Sequence, residues 1–166
     1  MTTTAGEPST GGAPGHHGAS VHVRRATPED QAPVTALLRA SSLPPVMLGA
    51  PNAVFFVAES GGRIVGSAGM ETYADAGLLR SLAIEESHRS AGVGRTLVEC
   101  AIGEAASQAL DSVYLLTTTA DAYFKRFGFE AIPRDAVQGL VRRSEEFAAL
   151  CPASAVAMRL VIGADS

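Results

Sequence analysis

The sequence is poor in cysteine, lysine and the largest aromatics. It has two cysteines, no tryptophan and three tyrosines, and twelve of its thirteen basic residues are arginine. Cys100 and Cys151 form no Cys-x-x-Cys pair and belong to no Cys/His cluster, so neither a disulfide framework nor a metal site is expected. No apolar stretch approaches the roughly 18 residues that span a bilayer, and no membrane partner is expected. The first residues lack the basic segment and apolar core of a secretory leader, which makes a cytoplasmic location the expectation. Formal net charge is −4; without a global basic field, nucleic acid is not an expected partner. No Gly-Lys pair occurs, which excludes the P-loop signature. The third glycine of a dinucleotide fingerprint is replaced by Leu97.

What is present fits one folded domain: 166 residues, 46% hydrophobic and 18% charged. Residues 1–20 are Gly, Ser, Thr and Pro with little to bury and read as a disordered tail, leaving 21–162 as the domain. His16 and His17 lack a third ligand. Val21 to Arg24 alternates as a strand does. Thr27-Pro28-Glu29-Asp30 then starts a helix whose Val34, Leu37 and Leu38 share one face. Ser41 to Asn52 holds three prolines and a glycine and reads as a loop at a substrate entrance.

Ala53–Ala58 and Ile64–Tyr73 form a hairpin across Ser60 to Arg63, with Gly69 marking a bulge. Asp75-Ala76-Gly77 turns into a strand over Leu78–Ile84. A long helix follows to about Leu110, with Leu97, Val98, Ala101, Ile102 and Ala105 on one side. Ser112–Leu116 is a strand, Ala120–Phe127 a short helix stopped by Gly128, and Phe129–Ile132 a strand. Residues 134–150 read as a helix and Ser154–Ile162 as the last strand. Three consecutive strands between helices exclude a doubly wound sheet. They predict an α+β fold around a mixed, mostly antiparallel sheet flanked by helices.

The chemistry concentrates in Leu78 to Leu97. A buried strand runs into a turn, and Arg89-Ser90-Ala91-Gly92-Val93-Gly94 opens a helix. Glycines at 92 and 94 let the backbone curl with its N–H groups inward. Those donors, with the positive end of the helix dipole and Arg89 at the rim, form a concave anion site suited to phosphate or pyrophosphate.

The spacing Arg89-x-x-Gly92-x-Gly94 after Leu82-Ala83-Ile84 resembles the acetyl-CoA motif of the GNAT superfamily of N-acetyltransferases, [Arg/Gln]-x-x-Gly-x-[Gly/Ala]. Thr117 to Phe129, ending in Gly128-Phe129, is similar to that family's second motif. The resemblance spans Val21 to Ile162. It implies the GNAT fold, acetyl-CoA as the donor, and a cofactor slotted between splayed strands at 78–84 and 112–117. The backbone of Ser90, Ala91, Gly92, Val93, Gly94, Arg95 and Thr96 would hold the pyrophosphate. The strand edge at Leu82, Ala83 and Ile84 would hold the pantetheine arm, and a fixed amide the thioester oxyanion. Thr117 stands where many members place an asparagine. Phe124, also a cofactor contact, stands where the family has its tyrosine acid. Tyr123 is one residue, about 100°, away; it either supplies that proton or faces the core. Without it the thiolate leaves unaided or takes a proton from water, its thiol having a pKa of about 8.5.

An attacking amine must be neutral. Glu71 acting through water is the expected base, with Asp75 and Glu59 as further candidates. The segments Leu115–Thr119 and Phe124–Phe129 look like the acetyltransferase domain of N-acetylglutamate synthases. Ser144–Phe147 with Cys151–Val156 looks like N-acetyltransferases of arsenic-resistance operons. Both imply a small amine acceptor, an amino acid or an analogue (glutamate-like or arsenic-containing). Arg80, a charge inside a central strand, either binds the acceptor's carboxylate or pairs with Glu71 or Asp75. Arg142, Arg143 and Arg159 are weaker candidates. A CoA-sensing module without turnover and a protein acetyltransferase are the other readings, and the chain is expected to be a monomer or homodimer.

Overall fold

The computed structural model describes residues 20–89, 91–137, 139–144 and 154–163. The tail reading with His16 and His17, Ser90, Cys151 and positions 145–150 of the expected last helix lie outside them. Within the described residues the seven strands are β1 Val21–Arg25, β2 Ala53–Ser60, β3 Arg63–Tyr73, β4 Ala76–Ile84, β5 Ser112–Thr117, β6 Glu130–Ile132 and β7 Val156–Val161. The helices are α1 Gln31–Ala40, α2 Val93–Ser107 and α3 Asp121–Lys125. One sheet has the order β1-β2-β3-β4-β5-β7-β6. Among the described residues only β4 and β5 run parallel; every other pairing is antiparallel, as the mixed sheet expected from the sequence requires.

Alternation along β2 decides where the helices sit. Phe56 and Ala58 pack with Leu97 and Val93 of α2, while Val57, between them, packs with Val34 and Leu38 of α1. The two helices therefore cover opposite faces, and α2 buries Leu97, Val98, Ala101 and Ala105. The β2–β3 hairpin closes on Gly61 and Gly62 at φ +58° and +80°. Two positive φ values give the turn whose twist matches the strands it joins.

Several boundaries differ from the sequence reading. The β3–β4 turn is tighter than Asp75-Ala76-Gly77, because β4 already begins at Ala76 and Ala74 takes φ +58°. Helix α2 stops at Ser107, where Ala109 turns left-handed at φ +59°. In place of a helix from 134, short 3-10 turns occupy Arg134–Ala136 and Gly139–Arg143. Val137 is extended and Gly139 has φ +73°, so helical hydrogen bonds cannot run through. Val137 and Val141 are nonetheless buried together against Leu78, Tyr114 and Ala157, which accounts for their helix-like spacing. Gly69 flanks a register shift, but the extra residue is on β4: Ser67 pairs with Ala83 and Gly69 with Arg80. Gly69 is small for another reason, since a Cβ there would lie 2.3 Å from the Phe55 ring.

Entry to α1 is held by Asp30. It accepts from Arg24 Nη1 and Nη2 at 2.9 and 3.1 Å and from the Thr27 N–H at 2.8 Å. The Arg24 hydrogen bonds, outweighing burial, hold its carboxyl below the usual carboxylate range.

Two expectations follow. Gly69→Ala forces a methyl into the Phe55 ring and should cost about 1–3 kcal/mol in urea unfolding, with Phe55→Leu in the same chain recovering part of it. Asp30's depressed folded pKa contributes stability above the unfolded value of about 3.9, lost as pH falls further. Asp30→Asn should lower stability at neutral pH and flatten the acid limb of a stability–pH curve; an unchanged limb contradicts this assignment.

Candidate functional site

Strands β4 and β5 pair at only three positions: Ala76 with Ser112, Gly77 with Val113 and Leu78 with Tyr114. Beyond Leu78 they part. The extra residue on β4 lies just past this point, with Ser81 left-handed at φ +61°, and a bulge bends the strand that carries it. The opening is a cleft of about 1190 Å³, lined by Leu79–Ile84 on one side and Leu115–Ala120 on the other. That exceeds the roughly 300–1,000 Å³ of an ordinary small-molecule site, so there is room for two ligands end to end. The β4 edge facing the cleft has lost its β5 partner, leaving main-chain donors and acceptors for a ligand. Ser41–Pro44, from the loop expected at the entrance, also line it.

At the end of β4 the cleft meets the start of α2. Gly92 is the N-cap at φ +81°, and the first intrahelical bond is Thr96 N–H to the Gly92 carbonyl, 3.1 Å. The N–H groups of Val93, Gly94 and Arg95 thus have no helical acceptor, and the dipole adds positive potential. Val93 is buried beneath them, which fixes the turn. Thr96 Oγ1 donates to the Gly92 carbonyl. Ala91 lies in the preceding turn. A Cβ on Gly94 would come within 2.9 Å of Tyr123 Oη, so a side chain there meets the phenol. Arg89, Arg95, Glu99 and Arg126 line this end; Arg89 Nε donates to the Ile84 carbonyl at 3.1 Å. The cradle suits a diphosphate.

The inner end is polar in a different way. The bulge takes the Ser81 carbonyl out of the ladder, and the buried Ser67 hydroxyl donates to it at 2.7 Å. Arg80 lines the cleft with its side chain only 4% exposed. Its Nη1 meets Glu71 Oε2 at 3.0 Å, and its Nε lies 3.3 Å from Ser81 Oγ. Glu71 also accepts from the Tyr73 hydroxyl at 2.7 Å. Burial first, and the bond to Glu71 second, push the Tyr73 phenol up to about 12. Tyr73 is therefore a fixed donor at any physiological pH. Glu71, the expected base, is absent from the cleft wall and committed to these two partners. Glu59 pairs with Arg24 at 3.0 Å. Asp75 lies at the opposite end of β4, where its main-chain carbonyl accepts the Asp111 N–H. None of the three carboxylates faces the opening.

Tyr123 lines the cleft, and its ring makes edge contacts at 5.3 Å with Phe124 and Phe127. Its hydroxyl stands beside Gly94 and Ile84, three residues from Ser81, or about 10 Å along the strand. The expected proton donor is thus at the anion end. Burial raises its pKa. Phe124 sits in the core against Phe129 and also reaches the cleft wall. Thr117 lines the cleft while its Oγ1 accepts the Ala120 N–H at 2.9 Å. Arg142, Arg143 and Arg159 are not on the cleft wall. Cys100 is half-buried against the α2 cluster, and burial raises its thiol pKa. Ser67, Tyr73 and Arg126 were not singled out from the sequence. The first two matter only because of a register that no local pattern displays.

The profile of the acetyltransferase (GNAT) domain matches residues 51–131, the stretch holding both parted strands and the cradle. An uncharacterised N-acetyltransferase of Chlorobaculum tepidum is 34% identical over 82 residues. Those are 49% of this chain and 52% of the relative, so the match spans about half of each. A Mycobacterium tuberculosis protein solved in complex with CoA superposes with a TM-score of 0.73 at 26% identity, over 85% of this chain and 99% of that one. The Neisseria gonorrhoeae N-acetylglutamate synthase, complexed with coenzyme A and N-acetyl-glutamate, gives 0.73 at 21% identity, over 86% of this chain and 35% of that one. The Escherichia coli ribosomal-protein-S18-alanine N-acetyltransferase gives 0.66 at 15%, over 89% and 97%. At these last two identities the likeness is one of fold alone. Residues 51–131 thus match the acetyltransferase (GNAT) domain, and the sheet that parts within that stretch has the fold of these acetyltransferase structures.

Proposed function

We propose that the protein transfers an acetyl group from acetyl-CoA to the primary amine of a small, carboxylate-bearing acceptor, an amino acid or an analogue of one. The observation that carries the donor half is the continuity of an unpaired strand edge, Leu79–Ile84, with the open first turn of α2 at Gly92–Arg95. An extended amide-rich arm ending in a diphosphate fits both parts in that order. The arm's amides add a strand to β4, and the diphosphate takes the N–H groups and the positive helix end.

In this arrangement the thioester comes to the bulge at Ser81. A main-chain N–H turned out of the ladder there meets the carbonyl oxygen and stabilises the oxyanion that forms when the amine attacks. Collapse breaks the carbon–sulfur bond and expels the thiolate. The ammonium gives up one proton before attack, and the amine a second as the amide forms. One of these reaches the thiolate through solvent. A thiol pKa of about 8.5 makes the thiolate an adequate leaving group unaided. Tyr123 is assigned no proton transfer, since its hydroxyl lies at the far end of the β4 edge. Water at the cleft serves as the route from the acceptor. Positioning of two ligands in one cleft supplies most of the remaining acceleration.

The acceptor half rests on Arg80. A buried guanidinium on the cleft wall, braced by Glu71 and Ser81, is a carboxylate site at the thioester end. Glu71 then orients Arg80 rather than acting as base, and Tyr73 holds Glu71. The presence of N-acetyl-glutamate in the Neisseria synthase complex supports a carboxylate-bearing acceptor on this fold. Ser41–Pro44 along the wall favour a small acceptor over a protein chain.

Calorimetry should show wild type binding CoA and acetyl-CoA. Gly94→Val, which fills the cradle against Tyr123, should weaken both by tenfold or more; equal binding by the variant would remove the cradle from the donor site. A thiol-release assay across amino acids and analogues, glutamate and arsenic-bearing ones included, should find carboxylate-bearing acceptors. Arg80→Lys keeps the charge but loses the fork, so it should raise acceptor KM about tenfold and leave acetyl-CoA KM within twofold. CoA binding without turnover on any amine would favour a sensing module. Turnover only on peptide N-termini or lysines would favour a protein acetyltransferase.

A further inference from the structure

The donor site just described leaves one cation of the cleft unassigned. Arg126 follows directly on α3 and lines the cleft with Arg89, Arg95 and Tyr123. Its guanidinium carbon lies 5.9 Å from the centroid of the Tyr123 ring. The hydroxyl of that ring reaches the first turn of α2, against Gly94. The end of α3 and the start of α2 therefore face each other at this end of the cleft, with the phenol between them.

The other charged groups at this end are already engaged. Arg95 Nε pairs with Glu99 at 3.0 Å, and Arg89 Nε is tied to the Ile84 carbonyl. Arg126 has no carboxylate partner among the described residues. A ring face steadies a guanidinium while leaving its in-plane donors outward. Those donors form the planar fork that suits two oxygens of one phosphate. Three guanidiniums against one carboxylate give this end a net positive field, whereas the inner end carries the balanced Arg80–Glu71 pair.

We propose that Arg126, seated on Tyr123, is the second jaw of the phosphate cradle. It takes a phosphate of the donor's nucleotide end opposite the α2 N–H groups, and Tyr123 is its support and a neighbour of that phosphate. The role is selection of the phosphorylated donor, not chemistry at the thioester. It rests on acetyl-CoA being the donor.

The test is CoA affinity by calorimetry for wild type, Arg126→Ala, Arg126→Lys and Tyr123→Phe, at about 0.05 and 0.5 M salt. Arg126→Ala should bind CoA about tenfold more weakly at low salt, the gap should narrow at high salt, and Arg126→Lys should recover part of it. Tyr123→Phe keeps the ring under the guanidinium and should weaken CoA binding less than Arg126→Ala does. Repeating the series with dephospho-CoA identifies the phosphate: a loss that persists marks the diphosphate, and one that vanishes marks the 3′-phosphate. Equal affinity of Arg126→Ala and wild type overturns the inference, as does a loss indifferent to salt, which would mean Arg126 only packs Tyr123. A kcat loss of about 100-fold or more in Tyr123→Phe would return that residue to proton transfer. Wild type that binds no CoA would instead sink the donor assignment itself.

Discussion

Between its pairings with β3 at Arg80 and at Ala83, β4 carries one residue more than its neighbour, and the cleft depends on where that residue sits. Ser81 takes the left-handed conformation, which costs a non-glycine residue about 1–2 kcal/mol. Its displaced carbonyl would cost about 1–3 kcal/mol more if buried without a donor. The Ser67 hydroxyl at 2.7 Å removes that second penalty. A strand bent and held in this way no longer follows β5 beyond Leu78. Parallel pairing that would close the sheet gives way to an open edge, and a ligand can be the missing strand.

Packing keeps the opening from collapsing. On one side α2 is anchored by Val93, Leu97, Val98, Ala101 and Ala105, so its first turn is presented from a fixed base. On the other, β5 is pinned along its whole length by β7. The two walls belong to separately stabilised halves of one sheet, joined by three parallel pairs near their common end. That construction resembles a hinge in plan, but buried apolar contacts on both walls make it rigid. A preformed cleft spares binding the cost of ordering a loop.

Charge is divided along the cleft. The inner end holds a buried Arg80–Glu71 pair with Tyr73 behind it, a network whose members fix one another's orientation. Such a pair contributes little net stability, since desolvation offsets the attraction. Its consequence is geometric: a guanidinium held in one orientation on the wall of the opening. The outer end has exposed arginines around unpaired backbone N–H groups, where solvent screens each charge and a multiply charged ligand draws on several at once. The two ends of the cleft thus differ in charge.

Local pattern in the chain was enough for the strands, the two long helices, the hairpin and the cradle at Gly92 and Gly94, because each depends on residues close in sequence: alternation, a three-four spacing, paired glycines, a glycine at a helix start. It was also enough for Arg80, since a charge within an apolar strand stands out. It misled at 134–143, where a four-residue spacing came from two 3-10 turns burying Val137 and Val141 on the same sheet face. Which of Glu71 and Asp75 pairs with Arg80, the bulge at Ser81, the use of Ser67, and the position of the Tyr123 hydroxyl against Gly94 were decided by tertiary structure alone. Each depends on the register between strands or on the distance between α2 and α3. Register is a property of two segments brought together, and neither segment records it by itself.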